Sequence, residues 1–196
     1  MSTLSVDKIE PVGSTLTLGE SGDTVTIPVG GAFTNNGTAT GFGSGSTHAS
    51  QWRLTSDFTG SVDPIATNIV EVASPLGFGV LGSSMTQTSG IFTFPDTGYW
   101  YIEYHAAFGA GTNSASRGQA YMSTTTNNIT YAAAASGYGG MYYDDSTATC
   151  SYIMDVTDVT QCKVKFSIAQ AIAGDTTRGD TNFNETFFTF NRLADT

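Results

Sequence analysis

The chain has little positive charge. Of its 196 residues only 7 are Lys or Arg, against 17 Asp or Glu, so the formal net charge is −10. The cations are scattered along the chain, and only Lys163 and Lys165 lie close together. Because nucleic-acid binding needs a surplus of Lys and Arg to neutralise phosphates, this composition argues against a nucleic-acid partner.

Long hydrophobic runs are also missing. The apolar stretches are far shorter than the roughly 20 residues that a membrane-spanning helix needs. Residues 1–8 lack the apolar core of a secretion signal. We therefore expect a soluble protein that is neither inserted into a membrane nor exported by such a signal.

Cysteine is nearly absent, with Cys150 and Cys162 the only two. Two cysteines are too few for the disulfide framework of a small secreted domain. They could pair only if the fold brought their Cα atoms within about 7 Å. We expect free, buried thiols that pack as small hydrophobes, with pairing as the alternative.

Strong helix formers are scarce as well. Charged residues make up 12% of the chain, aromatic residues another 12%, and Thr and Ser together about a quarter. Thr, Tyr, Phe, Val and Ile favour pleated, half-buried strands. The composition therefore predicts an all-β protein.

Three segments differ in pattern. Residues 1–29 alternate between apolar and polar positions in short runs separated by turn residues, and they have too little apolar area to fold alone. Residues 30–47 are rich in Gly, Ser and Thr and uncharged, as flexible connectors are. Residues 48–196 are dense in strand patterns. We predict a β-rich N-terminal arm, a linker and a head, in that order.

The head contains nine predicted strands, which indicate a sandwich or a jelly roll. They cover residues 51–57, 69–72, 91–94, 98–108, 119–124, 129–134, 148–156, 162–171 and 185–193.

One of these strands, residues 98–108, is rich in aromatic side chains on both faces. Successive side chains of a strand point to opposite sides. The sequence therefore predicts that one side packs in the core, and we assign to that core Phe92, Trp100, Ile102, Tyr104 and Phe108.

The opposite side of this strand carries Tyr99, Tyr101 and His105, where a solvated strand would carry Thr, Ser or Lys. Leaving a row of large rings in water is unfavourable, since each buried ring contributes roughly 1.5–3 kcal/mol. The sequence predicts that a second copy of the chain covers them; cover by the arm or by loops is the alternative. We add three rings of the last strand to this predicted interface, namely Phe187, Phe188 and Phe190.

The spacing Phe92-x5-Gly98-x-Trp100-x-Ile102-x-Tyr104 resembles the F-x5-G-x-Y-x-F-x-Y signature of C1q/TNF-like jelly rolls. The aromatic last strand, residues 186–193, is similar to the closing strand of that family. The resemblance implies a jelly-roll head and a homotrimer with the closing-strand sheet turned toward the threefold axis.

The arm, the linker and residues 51–58 and 89–98 resemble virion proteins of marine bacteriophages. This likeness implies a virion surface protein made in the bacterial host cytoplasm, whose arm joins it to other virion proteins. We expect a trimeric fibre or spike for host attachment. A capsid decoration protein that braces the shell is the alternative, and a polysaccharide-cleaving spike is a remote one.

Motifs for catalysis or metal binding are absent from the sequence. Neither a Gly-x-Ser-x-Gly nucleophile motif nor a His-Glu-x-x-His metal motif occurs, so we expect neither an enzyme nor a cofactor. Loop carboxylates such as Asp144, Asp145, Asp175 and Asp180 could ligate Ca²⁺, but acids of this kind more often stabilise turns.

A Tyr-rich segment, residues 131–145, is predicted to contain an exposed loop. It combines Tyr138, Tyr142 and Tyr143 with Gly, Ala and Ser, a composition typical of adaptable recognition surfaces. We predict that these tyrosines contact a host glycan or protein; packing against the head is the alternative.

Overall fold

The computed structural model of the chain describes residues 46–75, 77–111 and 115–196, with the single residues 24, 26, 29 and 31. The chain divides into two units, Met1–Phe42 and Gly43–Thr196. Nearly all of the predicted arm and of the predicted linker lies outside the described residues, and their roles stay predictions. Within the described ranges the chain forms no helix of the length and hydropathy that a membrane crossing requires.

The prediction of an all-β protein is confirmed, since the described head consists of strands joined by turns and loops. The predicted strand order is present, and three strands of two or three residues are added to it. The strands are β1 (Ala49–Leu54), β2 (Phe58–Thr59), β3 (Ile69–Glu71), β4 (Thr86–Thr88), β5 (Ile91–Thr93), β6 (Gly98–Gly109), β7 (Ser116–Thr125), β8 (Ala132–Met141), β9 (Ser146–Val156), β10 (Lys163–Gln170), β11 (Thr176–Thr177) and β12 (Phe187–Ala194).

Two antiparallel sheets form a jelly-roll sandwich. Sheet A contains the path β2-β11-β6-β12-β1-β3, and β9 pairs with β6 along almost its whole length. Sheet B has the order β4-β5-β10-β7-β8. Consecutive strands often lie in different sheets, so the connections cross between the layers and enclose one core.

An aromatic cluster fills the centre of this core. Phe92 of β5 lies 5.2–5.7 Å, between ring centroids, from Trp52, Phe166, Phe188 and Phe190. The cluster joins the sheets, because Phe92 and Phe166 belong to sheet B and the other three rings to sheet A. The remaining predicted core residues are buried as well, and these are Trp100, Ile102, Tyr104 and Phe108.

Gly98, which begins β6, occupies a site that a larger residue could not fill. Its φ is +136°, and an added Cβ would lie 2.5 Å from the carbonyl oxygen of Ala194 and 2.7 Å from Nε of Arg192. Arg192 is buried here and donates hydrogen bonds to the Thr97 carbonyl and to Asp195. The glycine therefore lets the last strand and its arginine close the end of the sandwich.

Both thiols are free and buried, which confirms the expectation for Cys150 and Cys162. Burial raises the pKa of the Cys150 thiol to about 11. Because the thiolate is the reactive form, this cysteine is chemically inert at neutral pH.

The hydroxyl of Tyr104 is buried and has no hydrogen-bond partner among the described residues. Burial holds the pKa of this phenol well above its usual range. A buried polar group without a partner costs about 1–3 kcal/mol. We therefore expect Tyr104→Phe to raise the free energy of unfolding by about 1 kcal/mol, measured by urea denaturation. Tyr142→Phe, at an exposed ring, should leave it unchanged, and a loss in Tyr104→Phe would contradict the expectation.

Candidate subunit interface

The outer face of sheet A, which points away from the core, carries large side chains of β6, β9 and β12. Tyr101 of β6 has Asn191 of β12 and Ile153 of β9 as its cross-strand partners. Ile153 is 56% exposed, Leu193 42% and Tyr99 41%. Tyr99, Tyr101, Ile153 and Leu193 therefore form an apolar patch that faces solvent in the single chain, with the polar Asn191 beside it.

His105 and Phe187 form the centre of the same face. Their rings stack with a centroid distance of 5.0 Å and an interplanar angle of 23°. The Nδ1 atom of His105 is 2.9 Å from the hydroxyl oxygen of Thr149 on β9. Burial lowers the pKa of His105, while the charge of the neighbouring Glu103 acts in the opposite direction. The imidazole is therefore held in its neutral form at neutral pH.

Two residues of the predicted interface lie elsewhere. Phe188 and Phe190 point into the core and have no exposed surface, so a second subunit cannot reach them. The reason is the period of two along β12, since Phe187 and these two rings fall on opposite faces. Conversely, the predicted interface did not include Ile153 and Leu193, which extend the patch on neighbouring strands.

Among the described residues, the chain's own loops cover one corner of this face, at β1. Arg53 of β1 shares the outer side with Phe187, its cross-strand partner. Its guanidinium is buried and donates to the carbonyls of Thr181 and Ser74. Cover by described loops therefore applies at β1, while Tyr99 and Ile153 are exposed. Cover by the arm stays an untested alternative, because nearly all of the arm lies outside the described residues.

The predicted Tyr-rich loop is mostly a strand. Residues 132–141 form β8, and Tyr138 lies within it beneath the guanidinium of Arg117, 4.9 Å from the ring centroid. Tyr142 and Tyr143 occupy the turn between β8 and β9, with their rings edge to face at 4.4 Å. Both are more than half exposed. Of the three predicted contact tyrosines, only Tyr142 and Tyr143 therefore lie outside a strand.

The loop carboxylates serve the protein's own contacts. Asp145 pairs with Arg178 at 2.6 Å, and Asp144 accepts a hydrogen bond from the following backbone N–H. Asp175 is buried and accepts from Gly111 N and from the Ser116 hydroxyl, whereas Asp180 accepts from the backbone in its own turn. In the described part of the chain, no three His, Cys, Asp or Glu side chains come together to form a metal site.

His105→Gln is expected to weaken the pH dependence of stability in mild acid. The folded state holds the pKa of His105 below its ordinary value of 6.5 because burial disfavours the charged ring. As the pH falls below that value, His105 binds a proton in the unfolded chain more readily than in the folded chain. The native state therefore loses stability. Melting temperatures at about pH 7.5 and about pH 5.5 should differ less in the variant than in the wild type. If the melting temperature changed equally with pH in the variant and in the wild type, His105 would not be the source of the pH dependence.

No family model and no curated protein sequence matches this chain. Among solved structures it is similar to murine APRIL at pH 5.0, with a TM-score of 0.55 and 9% identity over 74% of this chain and 98% of that chain. Murine APRIL at pH 8.5 gives a TM-score of 0.52 and 11% identity over 74% and 98%. Eiger TNF from S. frugiperda gives a TM-score of 0.52 and 12% identity over 76% and 93%. The head therefore has the TNF-like jelly-roll fold.

Proposed function

We propose that this chain is a non-catalytic virion surface protein of a bacteriophage, which forms homotrimers and carries its heads to the host surface. The observation that carries the proposal is the apolar patch of sheet A, in which Tyr99, Ile153 and Leu193 are exposed and Tyr101 is half-buried, beside the stacked ring of Phe187. Elsewhere on the same face, exposed positions of β9 carry Thr and Ser instead, such as Thr147 and Ser151.

A second copy of the chain is the partner that best explains this patch. Contiguous exposed apolar surface of this kind marks an interaction site. A ring of identical subunits covers the patch on every copy at once, whereas contacts that do not close produce filaments. The TNF-like fold of the head and the family signature around Gly98 favour three subunits.

The virion role is supported by the likeness of the arm, of the linker and of residues 51–58 and 89–98 to phage virion proteins. An arm that is too small to fold alone is suited to docking on another virion protein. Three heads on one stalk, with many stalks on one particle, multiply a weak contact into firm attachment. We therefore favour a fibre or spike that binds the host surface.

Capsid decoration is the second candidate. It is favoured by the N-terminal segment, residues 1–29, which resembles capsid-surface proteins as well as fibres. In that role the trimer would brace neighbouring shell subunits and need no host ligand.

Four measurements test the proposal. Sedimentation should give three times the chain mass of 20.5 kDa, and a monomer at micromolar concentration would overturn the trimer. Antibody labelling in electron micrographs should place a fibre at one vertex and a decoration protein over the whole shell. Free head protein should block adsorption if it binds the host and should have no effect if it is a brace. Release of reducing ends from host polysaccharide would overturn the non-catalytic role.

A further inference from the structure

An open groove of about 540 Å³ lies on the outer face of sheet B. This face is on the opposite side of the sandwich from the outer face of sheet A. It therefore stays accessible when the proposed trimer forms. Side chains of three adjacent strands line the groove, from Gln119 and Tyr121 on β7, Ala133 to Ser136 on β8, and Ala169 on β10.

Small side chains form the floor of this groove. Ala169 lies opposite Gln119 across the β7–β10 ladder, and Ala133 lies opposite Ser123 across the β7–β8 ladder. Alanine is a poor strand former, and on the exposed side of β9 the chain uses Thr147 and Thr149 instead. Strand stability therefore does not account for these alanines. Small side chains at these positions leave the space that forms the groove.

The lining combines apolar and hydrogen-bonding groups. The ring of Tyr121 and the alanine methyl groups offer apolar contact, while Gln119, Ser136 and the Tyr121 phenol offer an amide and two hydroxyls. A sugar ring presents the matching surfaces, with C–H groups on its faces and hydroxyls at its edge. A few polar groups placed among apolar ones are typical of small-ligand sites.

A cation lies at one end of the groove. Arg117 is on the same face of β7 as Gln119, and its guanidinium lies over Tyr138, the cross-strand partner of Gln119. The ion pairs between described residues use Lys165, Arg178 and Arg192, and none of them uses Arg117. No acidic side chain lines the groove, although the chain holds 17 Asp and Glu. This arrangement is complementary to an anionic group on a ligand.

We propose that the groove binds a short acidic oligosaccharide. The sugar rings lie on Tyr121 and the alanine floor, and the carboxylate of a uronic acid pairs with Arg117. Arginine suits this role because its planar guanidinium matches a carboxylate with two parallel hydrogen bonds. The inference rests on the proposed host attachment and names its ligand, with one groove on each of three heads.

The first experiment probes the ligand with an array of immobilised oligosaccharides, in which uronate chains stand beside their methyl-ester forms. The full-length protein is expected to bind at least one uronate chain, and its methyl ester about tenfold more weakly, since the ester removes the charge and keeps the rings. Binding to no uronate chain, or equal binding to both forms, would overturn the proposal.

Variants then test the place of binding. Ala133→Trp and Ala169→Trp fill the groove from two different strands, and each is expected to reduce uronate binding at least tenfold. Arg117→Gln should weaken binding to the uronate chain and leave binding to the ester unchanged. Ala66→Trp, the same change at an exposed loop residue outside the groove, is the control and should bind as the wild type does. Undiminished binding by both folded tryptophan variants would overturn the site.

Sedimentation of the same preparations separates this inference from the proposed function. A trimer that binds no acidic oligosaccharide overturns the groove and leaves the subunit interface standing. A monomer that binds it overturns the trimer and leaves the groove standing.

Discussion

Tyr101→Asp is expected to convert the trimer into monomers or insoluble aggregates. Tyr101 lies on β6, between Asn191 and Ile153 on the neighbouring strands. In the trimer an aspartate at this position would be buried without a partner, and an uncompensated buried charge costs on the order of 3–5 kcal/mol. Threefold symmetry repeats this cost in each subunit. Sedimentation velocity at micromolar concentration measures the outcome directly.

Two further variants show that the effect belongs to this face. Ile153→Asp changes an exposed residue of β9 on the same patch and should dissociate the trimer in the same way without disturbing the core. Thr88→Asp introduces the same charge at an exposed position of β4, in sheet B, and should leave the trimer intact. A soluble trimer of Tyr101→Asp with an unchanged melting temperature would contradict the proposed interface.

The two faces of β6 could be predicted because alternation is a property of the backbone itself. Once residues 98–108 are a strand, Trp100, Ile102 and Tyr104 must share one side, and Tyr101 and His105 the other. The same rule, applied to β12, places Phe187 apart from Phe188 and Phe190. The predicted interface nevertheless included all three rings, although the period of two along β12 assigns Phe188 and Phe190 to the core side.

Neighbours from other strands could not be predicted in the same way. Ile153 joins the patch only because β9 pairs with β6 in a register that places it opposite Tyr101. The groove on sheet B likewise needs β10 beside β7, two strands that are far apart in the chain. Such pairings depend on tertiary packing, which the local pattern of one sequence does not contain.

The strand β8 shows how tertiary packing overrides propensity. Its sequence is rich in Ala and Gly, which are depleted in strands. The predicted strand covered residues 129–134, and an exposed loop was predicted within residues 131–145. In the structure an added Cβ at Gly137 would lie 2.4 Å from the carbonyl oxygen of Thr149 on β9. The close approach of β8 and β9, which closes the sandwich at this edge, requires glycine there.

Phe92→Ala is expected to destabilise the head strongly. Phe92 has no exposed surface, and its ring contacts aromatic side chains of both sheets, including Trp52 edge to face at 5.4 Å. Removing a buried phenylalanine ring costs about 3–5 kcal/mol, because apolar transfer energy is lost and a cavity is left. Most domains have about 5–15 kcal/mol of stability in total, so this one change should remove a large fraction of it.

The matched control is Phe78→Ala, which makes the same substitution at a ring that is 52% exposed in a loop. Its cost should stay within about 0.5 kcal/mol, as is usual for surface changes. Urea denaturation measures both variants, at one fixed protomer concentration because assembly contributes to stability by mass action. If Phe92→Ala lost no more stability than Phe78→Ala, the aromatic cluster would not be the element that holds the two sheets together, and the packing derived for the core would be wrong.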